Sequence, residues 1–197
     1  MRRLVFVARH GETDWNAAGR WQGHTDVPLN ENGRAQARAL ATRLRASRLA
    51  GVVASDLSRA HETARIVAVE LGLAVAYVER ALRERSFGVF EGLTRAECET
   101  RHAEAWRSWL AHRKEPEGAE GLEALTGRVV AAVGRAAETV AREGAPALVV
   151  THGGSLRSVV ASVTGELPPL VENGAVWVLV WEGRLVGAEP LELLDPP

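Results

Sequence analysis

Arg9 and His10 stand side by side where an apolar run, Leu4-Val5-Phe6-Val7-Ala8, gives way to Gly11-Glu12-Thr13. Neither side chain enters a core unpaired, so a buried strand that ends on this pair presents a reactive edge. The guanidinium narrows the chemistry open to the imidazole, because a fixed positive charge repels a divalent metal and attracts phosphate or carboxylate. Two further apolar runs end on similar residues: 52–54 leads into Ser55-Asp56-Leu57-Ser58-Arg59, and 148–150 leads into Thr151-His152-Gly153-Gly154-Ser155. In an open parallel sheet, ligands bind beyond the carboxyl ends of the strands, which makes Arg9, His10, Arg59 and His152 candidates to converge on one anion. Gly153 and Gly154 let backbone approach a ligand, and the free amides of a helix start favour an anion. Each residue alone also has a purely structural explanation. Arg59 can pair with Glu62 on its own helix, and His152 can be a core histidine bonded to backbone. Recurrence after three separate strands favours a shared phosphate site.

Positioning these residues is the task of an alternating pattern of elements. Short apolar runs at 4–8, 51–54, 74–77, 147–151, 175–181 and 184–188 are separated by longer amphipathic stretches. That pattern predicts an α/β fold, three layers of helix, sheet and helix around a mostly parallel central sheet. Glu182-Gly183 between the last two runs predicts a tight hairpin at an antiparallel edge. Helices are predicted over 33–46 with Asn30 as cap, over 57–71 ending at Gly72, over 94–112 with Trp106 and Trp109, and over 122–142 ending at Gly144. Glu115-Pro116-Glu117-Gly118 reads as a loop. Without an internal repeat or linker, residues 1–197 form one domain that closes on Pro196-Pro197, with a helical insertion over the site at about 93–122.

Composition restricts the partners. A chain of 197 residues with 46% hydrophobic content can bury a full core. Its net charge of -1 excludes the broad basic face of a general nucleic-acid binder, so anion recognition must be local. No apolar run reaches the roughly 18 residues of a membrane span. The single Cys98 rules out an internal disulfide, and residues 1–25 lack signal-peptide features, which together predict a cytoplasmic protein. Monomer or homodimer is left open.

Three segments carry a resemblance: Arg9-His10-Gly11-Glu12-Thr13, Ser55 through Ala64, and Thr151-His152-Gly153-Gly154. They resemble the defining motifs of the histidine phosphatase superfamily, in its phosphoglycerate mutase-like branch. Arg20-Trp21-Gln22-Gly23, Asp26-Val27-Pro28-Leu29, and Leu82 through Gly88 followed by Glu91-Gly92 are similar to that family in the same order. The resemblance implies a two-step, metal-free and cofactor-free mechanism through a phosphohistidine on His10, acting on a small phosphorylated metabolite. Arg9 and Arg59 would clamp the phosphoryl oxygens, His152 would donate to them, and Asn16 would add a further donor. Gln22, Gly23 and Gly153 would complete the substrate site. Glu84 occupies the family position of the general acid, a role that calls for a seat against apolar surface or near the phosphate, with Phe87 helping to desolvate it.

Phosphatase is favoured over mutase. Arg20-Trp21-Gln22-Gly23 looks like the form common among broad phosphatases, and the arginines between 93 and 122, at positions 95, 101, 107 and 113, are never adjacent. The alternatives are a cofactor-dependent phosphoglycerate mutase, a metal-dependent hydrolase with His10 and His152 as ligands, and a phosphate-binding module without turnover. Gly118-Ala119-Glu120-Gly121 departs from the Gly-Gly-Glu-Ser of many relatives, which removes a serine hydroxyl. Trp21, Trp106 and Trp109 either line the leaving-group side or pack the insertion onto the sheet.

Overall fold

Alternation along each strand sorts its side chains between two faces, and both faces are apolar. In the computed structural model, which describes residues 1–191, six strands form one sheet in the order β3-β2-β4-β1-β5-β6. They are β1 (Arg3–Arg9), β2 (Gly51–Ala54), β3 (Val75–Val78), β4 (Ala147–Thr151), β5 (Val176–Trp181) and β6 (Leu185–Pro190). β2 pairs with β3 and β4, and β4 with β1, all in parallel. Antiparallel pairing is confined to the other side, where β1 meets β5 and the β5–β6 hairpin closes the edge. β2 and β4 are buried along their whole length, as expected of parallel strands covered on both faces.

The helices are α1 (Asp14–Ala17), α2 (Glu31–Leu44), α3 (Ser58–Glu70), α4 (Arg95–Arg101), α5 (Ala103–Leu110), α6 (Leu122–Thr139) and α7 (Gly153–Thr164). Val5, Val7 and Val149 face α6 and α7, while Phe6, Ala8, Leu148 and Val150 face α2 and α3. The predicted three-layer α/β architecture is therefore observed. Asn30 caps α2 by accepting from the Gly33 amide.

Several boundaries differ from the prediction. The helix expected over 94–112 is two helices, because the chain turns at His102 (φ -132, ψ 45) so that Cys98 and Trp106 can both reach Phe90. These three residues form a small third cluster apart from the two sheet-facing cores. α6 stops at Thr139, before the predicted residue 142, since Arg142 and Ala145 bond to each other in the turn that feeds β4. α1, a single turn, was not predicted; Thr13 and Asn16 form its capping box. Pro196 and Pro197 lie outside the described residues.

Candidate active site

Strand order brings the three suspect strand ends together. β4 lies between β2 and β1, so Ser55, His152 and His10 emerge side by side at one end of the sheet. The His10 amide donates to the Thr151 carbonyl at 2.9 Å, and the His10 and His152 rings meet edge to face with centroids 5.1 Å apart. His10 Nδ1 lies 2.6 Å from the Gly11 carbonyl oxygen. A carbonyl only accepts, so Nδ1 carries the proton and Nε2 keeps a bare lone pair. Burial, and then the Arg59 and Arg9 charges, hold the His10 pKa well below the ordinary histidine value; the Gly11 carbonyl works weakly against them.

Arg59 is fully buried in the first turn of α3. It leaves Glu62 to Arg34 (2.7 Å) and instead turns inward, donating to the carbonyls of Thr25 (2.9 Å) and Gly23 (2.8 Å). Burial pushes its pKa down to about 10, opposed chiefly by Glu84. Its Nε donates to His152 Nδ1 at 3.3 Å, and His152 Nε2 lies 2.8 Å from Ser55 Oγ. An arginine Nε–H can only donate, which places the His152 proton on Nε2. Burial and then Arg59 lower the His152 pKa far below its usual value. Both ring nitrogens are thus engaged with protein groups in this structure. Arg9 bonds the Val171 carbonyl through Nη1 at 2.5 Å and keeps a buried, unpartnered Nε.

Glu84 takes the place that the sequence reserves for the anion. Its carboxylate accepts from the amides of Gly154 (2.9 Å) and Ser155 (3.1 Å) at the start of α7, and from its neighbour Arg85 (2.8 Å). The two glycines make room for neighbouring side chains: a Cβ on Gly154 would stand 2.4 Å from Glu84 Oε1, and one on Gly153 would stand 3.3 Å from Arg9 Nε. Of the two seats expected for Glu84, against apolar surface or near the phosphate, the polar surroundings exclude the first, while the side chain lines the same cavity as Arg9, His10 and Arg59; Phe87 packs against Trp21 (4.6 Å between centroids).

Three residues that the sequence reading missed hold Glu84 in place. Arg128 on α6 grips both Glu120 oxygens at 2.6 Å and donates to the carbonyls of Ala81 (2.9 Å), Arg83 (2.7 Å) and Glu84 (2.8 Å), so every guanidinium N–H has an acceptor. His24 Nε2 donates to the same Glu84 carbonyl at 2.8 Å. Glu120 sits within the noted departure at 118–121. Arg128 and His24 carry no local signal, because their partners lie 44 and 60 residues away.

A cavity of about 600 Å³ opens over this end of the sheet. Arg9, His10, Asn16, Gln22, Gly23, Arg59, Glu84 and Gly153 line it, and His152 is buried behind them. Asn16 uses its Oδ1 to cap α1, and Gly23 anchors Arg59 through its carbonyl. On the far side stand Trp21, Phe87 and Trp109, while Trp106 packs the insertion. Arg113 and Lys114 also reach the cavity, an adjacent cationic pair that a search for paired arginines passes over. Among the described residues, no group of three or more His, Cys, Asp or Glu side chains is placed to hold a metal ion, and no helix is long and apolar enough to cross a membrane.

Known proteins are similar to this chain in sequence and fold over most of its length. The sequence profile of the histidine phosphatase superfamily (branch 1) matches residues 5–184. Phosphoglycerate mutase-like protein 4 of Arabidopsis thaliana is 40% identical over 159 residues, 79% of this chain and 68% of that protein. The solved structure of Bacillus stearothermophilus YhfR superposes with a TM-score of 0.84 at 31% identity, covering 95% of this chain and 96% of its own. A mycobacterial glucosyl-3-phosphoglycerate phosphatase solved with VO3 gives 0.82 at 27% identity, covering 96% and 98%. With the profile matched over nearly its whole length, the chain belongs to the histidine phosphatase superfamily, branch 1.

Proposed function

We propose that the protein is a metal-independent phosphomonoesterase that works through a phosphohistidine on His10. One observation carries this: the His10 ring is neutral, with its proton tied to the Gly11 carbonyl, its Nε2 left open, and the charges of fully buried Arg59 and half-buried Arg9 acting on it. Nε2 attacks phosphorus in line as the ester P–O bond breaks. Arg9 and Arg59 hold the equatorial oxygens as charge spreads over them, each such donor being worth about 100- to 1000-fold in kcat. Glu84, which lines the same cavity, delivers a proton to the leaving alkoxide as general acid. In the second step Glu84 removes a proton from water, whose oxygen attacks phosphorus as the Nε2–P bond breaks, which frees inorganic phosphate and returns neutral His10.

Incubation with a labelled phosphomonoester followed by quenching should trap an acid-labile phosphoryl adduct in the wild type and none in His10→Ala. Activity should survive exhaustive chelation. An active His10→Ala protein would end this reading. The mutase alternative draws support from Arg113 and Lys114 at the cavity, which can face a substrate carboxylate. It requires phosphate to move between the 2 and 3 positions of phosphoglycerate faster than it is released, and we expect release to dominate.

A further inference from the structure

Resting on the phosphomonoesterase reading, we propose that the leaving-group half of the cavity takes the ester of an alcohol bearing a flat ring or a comparably large apolar body, not that of a short polar acid. Across from the catalytic corner, the Trp21 ring lies 4.6 Å from Phe87 and 5.3 Å from Trp109, centroid to centroid. These three rings form a corner of aromatic faces and edges. It is rigid because Trp109 is backed by Phe90 (5.7 Å) and Trp106 (5.4 Å), both buried. The mouth beyond it is apolar as well: Leu122, Leu167 and Leu170 line the cavity while remaining 50%, 55% and 85% exposed. Scattered exposed leucines need no explanation, but a set gathered at the mouth of one cavity marks a surface that a ligand covers.

Size and charge agree. About 600 Å³ falls in the range of sites that enclose a drug-sized ligand. A phosphoryl group with a three-carbon acid would leave the aromatic wall wet. The cations on that side do not form a strong carboxylate clamp. Arg20 is committed to Glu97 (2.6 Å), Arg85 is paired with Glu115, Arg157 donates through Nε to the Pro168 carbonyl (2.8 Å), and Arg113 and Lys114 are solvent-exposed, where charge is screened.

The test compares naphthylethyl phosphate with propyl phosphate, two primary alkyl esters with leaving alcohols of similar reactivity, and adds 3-phosphoglycerate. Phosphate release should favour the naphthylethyl ester in kcat/KM by about tenfold or more, the scale of discrimination by an apolar pocket. Trp109→Ala should cut the naphthylethyl-to-propyl ratio several-fold. Leu122→Asp should do the same without disturbing the fold, since it places an acid in the first turn of α6, where a helix favours one. Equal use of the two alkyl esters, a preference for 3-phosphoglycerate, or a ratio unmoved in both variants overturns the substrate class while leaving the phosphatase intact. If no ester releases phosphate or labels His10, the phosphatase reading fails and the substrate class falls with it.

Discussion

His10 and His152 touch, yet their protons sit on opposite nitrogens, Nδ1 in one and Nε2 in the other. Nitrogen-15 NMR of the free protein should show these two tautomers, and neither ring should titrate near pH 6.5, because burial and the flanking guanidiniums lower both pKa values. The stability consequence follows in sign. Below about pH 6.5 the unfolded chain binds protons that the folded state refuses, so stability is full above that pH and falls as pH drops toward the lowered native values. Thermal melts from pH 7.5 to 5 should show this decline; a flat melting temperature would contradict the buried neutral pair. At Gly154, a methyl would collide only with the end of the Glu84 side chain, so Gly154→Ala should fold normally but displace that carboxylate. Its kcat should fall by about 100-fold or more, near the loss in Glu84→Gln, if Glu84 is the general acid. An unaffected kcat would remove Glu84 from the mechanism.

At the level of elements, the segment from Leu82 to Glu84 is held from three directions. Thr151 on β4 donates to the Leu82 carbonyl (2.7 Å), Ser155 on α7 to the Arg83 carbonyl (2.8 Å), and Arg128 on α6 to both Arg83 and Glu84. Arg83 in turn makes a two-pronged pair with Asp56 beyond β2, at 2.7 Å for each bond. Arg128→Gln should therefore lower kcat more than it raises KM. Arg128→Lys should not rescue it, because an ammonium cannot span five acceptors arranged for a planar fork. Restoration by lysine would show that charge alone matters. The elements themselves were largely legible: each strand shows as an apolar run, and Asn30 marks the start of α2. The break at His102 was not, since His102 is no helix breaker and the turn exists to bring Cys98 and Trp106 onto Phe90.

On the scale of the whole molecule, two large cores flank the sheet and a third, centred on Phe90, Cys98 and Trp106, underlies the segment that walls the cavity. Phe90→Ala should cost about 3–5 kcal/mol locally. Hydrogen exchange should then accelerate over α4 and α5 while the amides of β1, β2 and β4 keep their protection. Uniform acceleration would show that the insertion is not a separate unit of stability. That Arg9, His10 and His152 stand at strand ends could be read from the chain alone, because each comes within two residues of an apolar run and a parallel sheet gathers strand ends at one side; Arg59 comes five residues after its strand, in the first turn of α3. Local sequence also determined the layered α/β fold, through the periods of its apolar residues. Only the tertiary structure decided that Glu84 occupies the α7 amides and that Arg128, Glu120 and His24 hold its loop. It alone gathered residues near 21, 87, 109, 122 and 170 into one aromatic and apolar cavity wall. Those roles arise from contacts across long sequence separations, where composition and spacing carry no signal until packing brings the partners together.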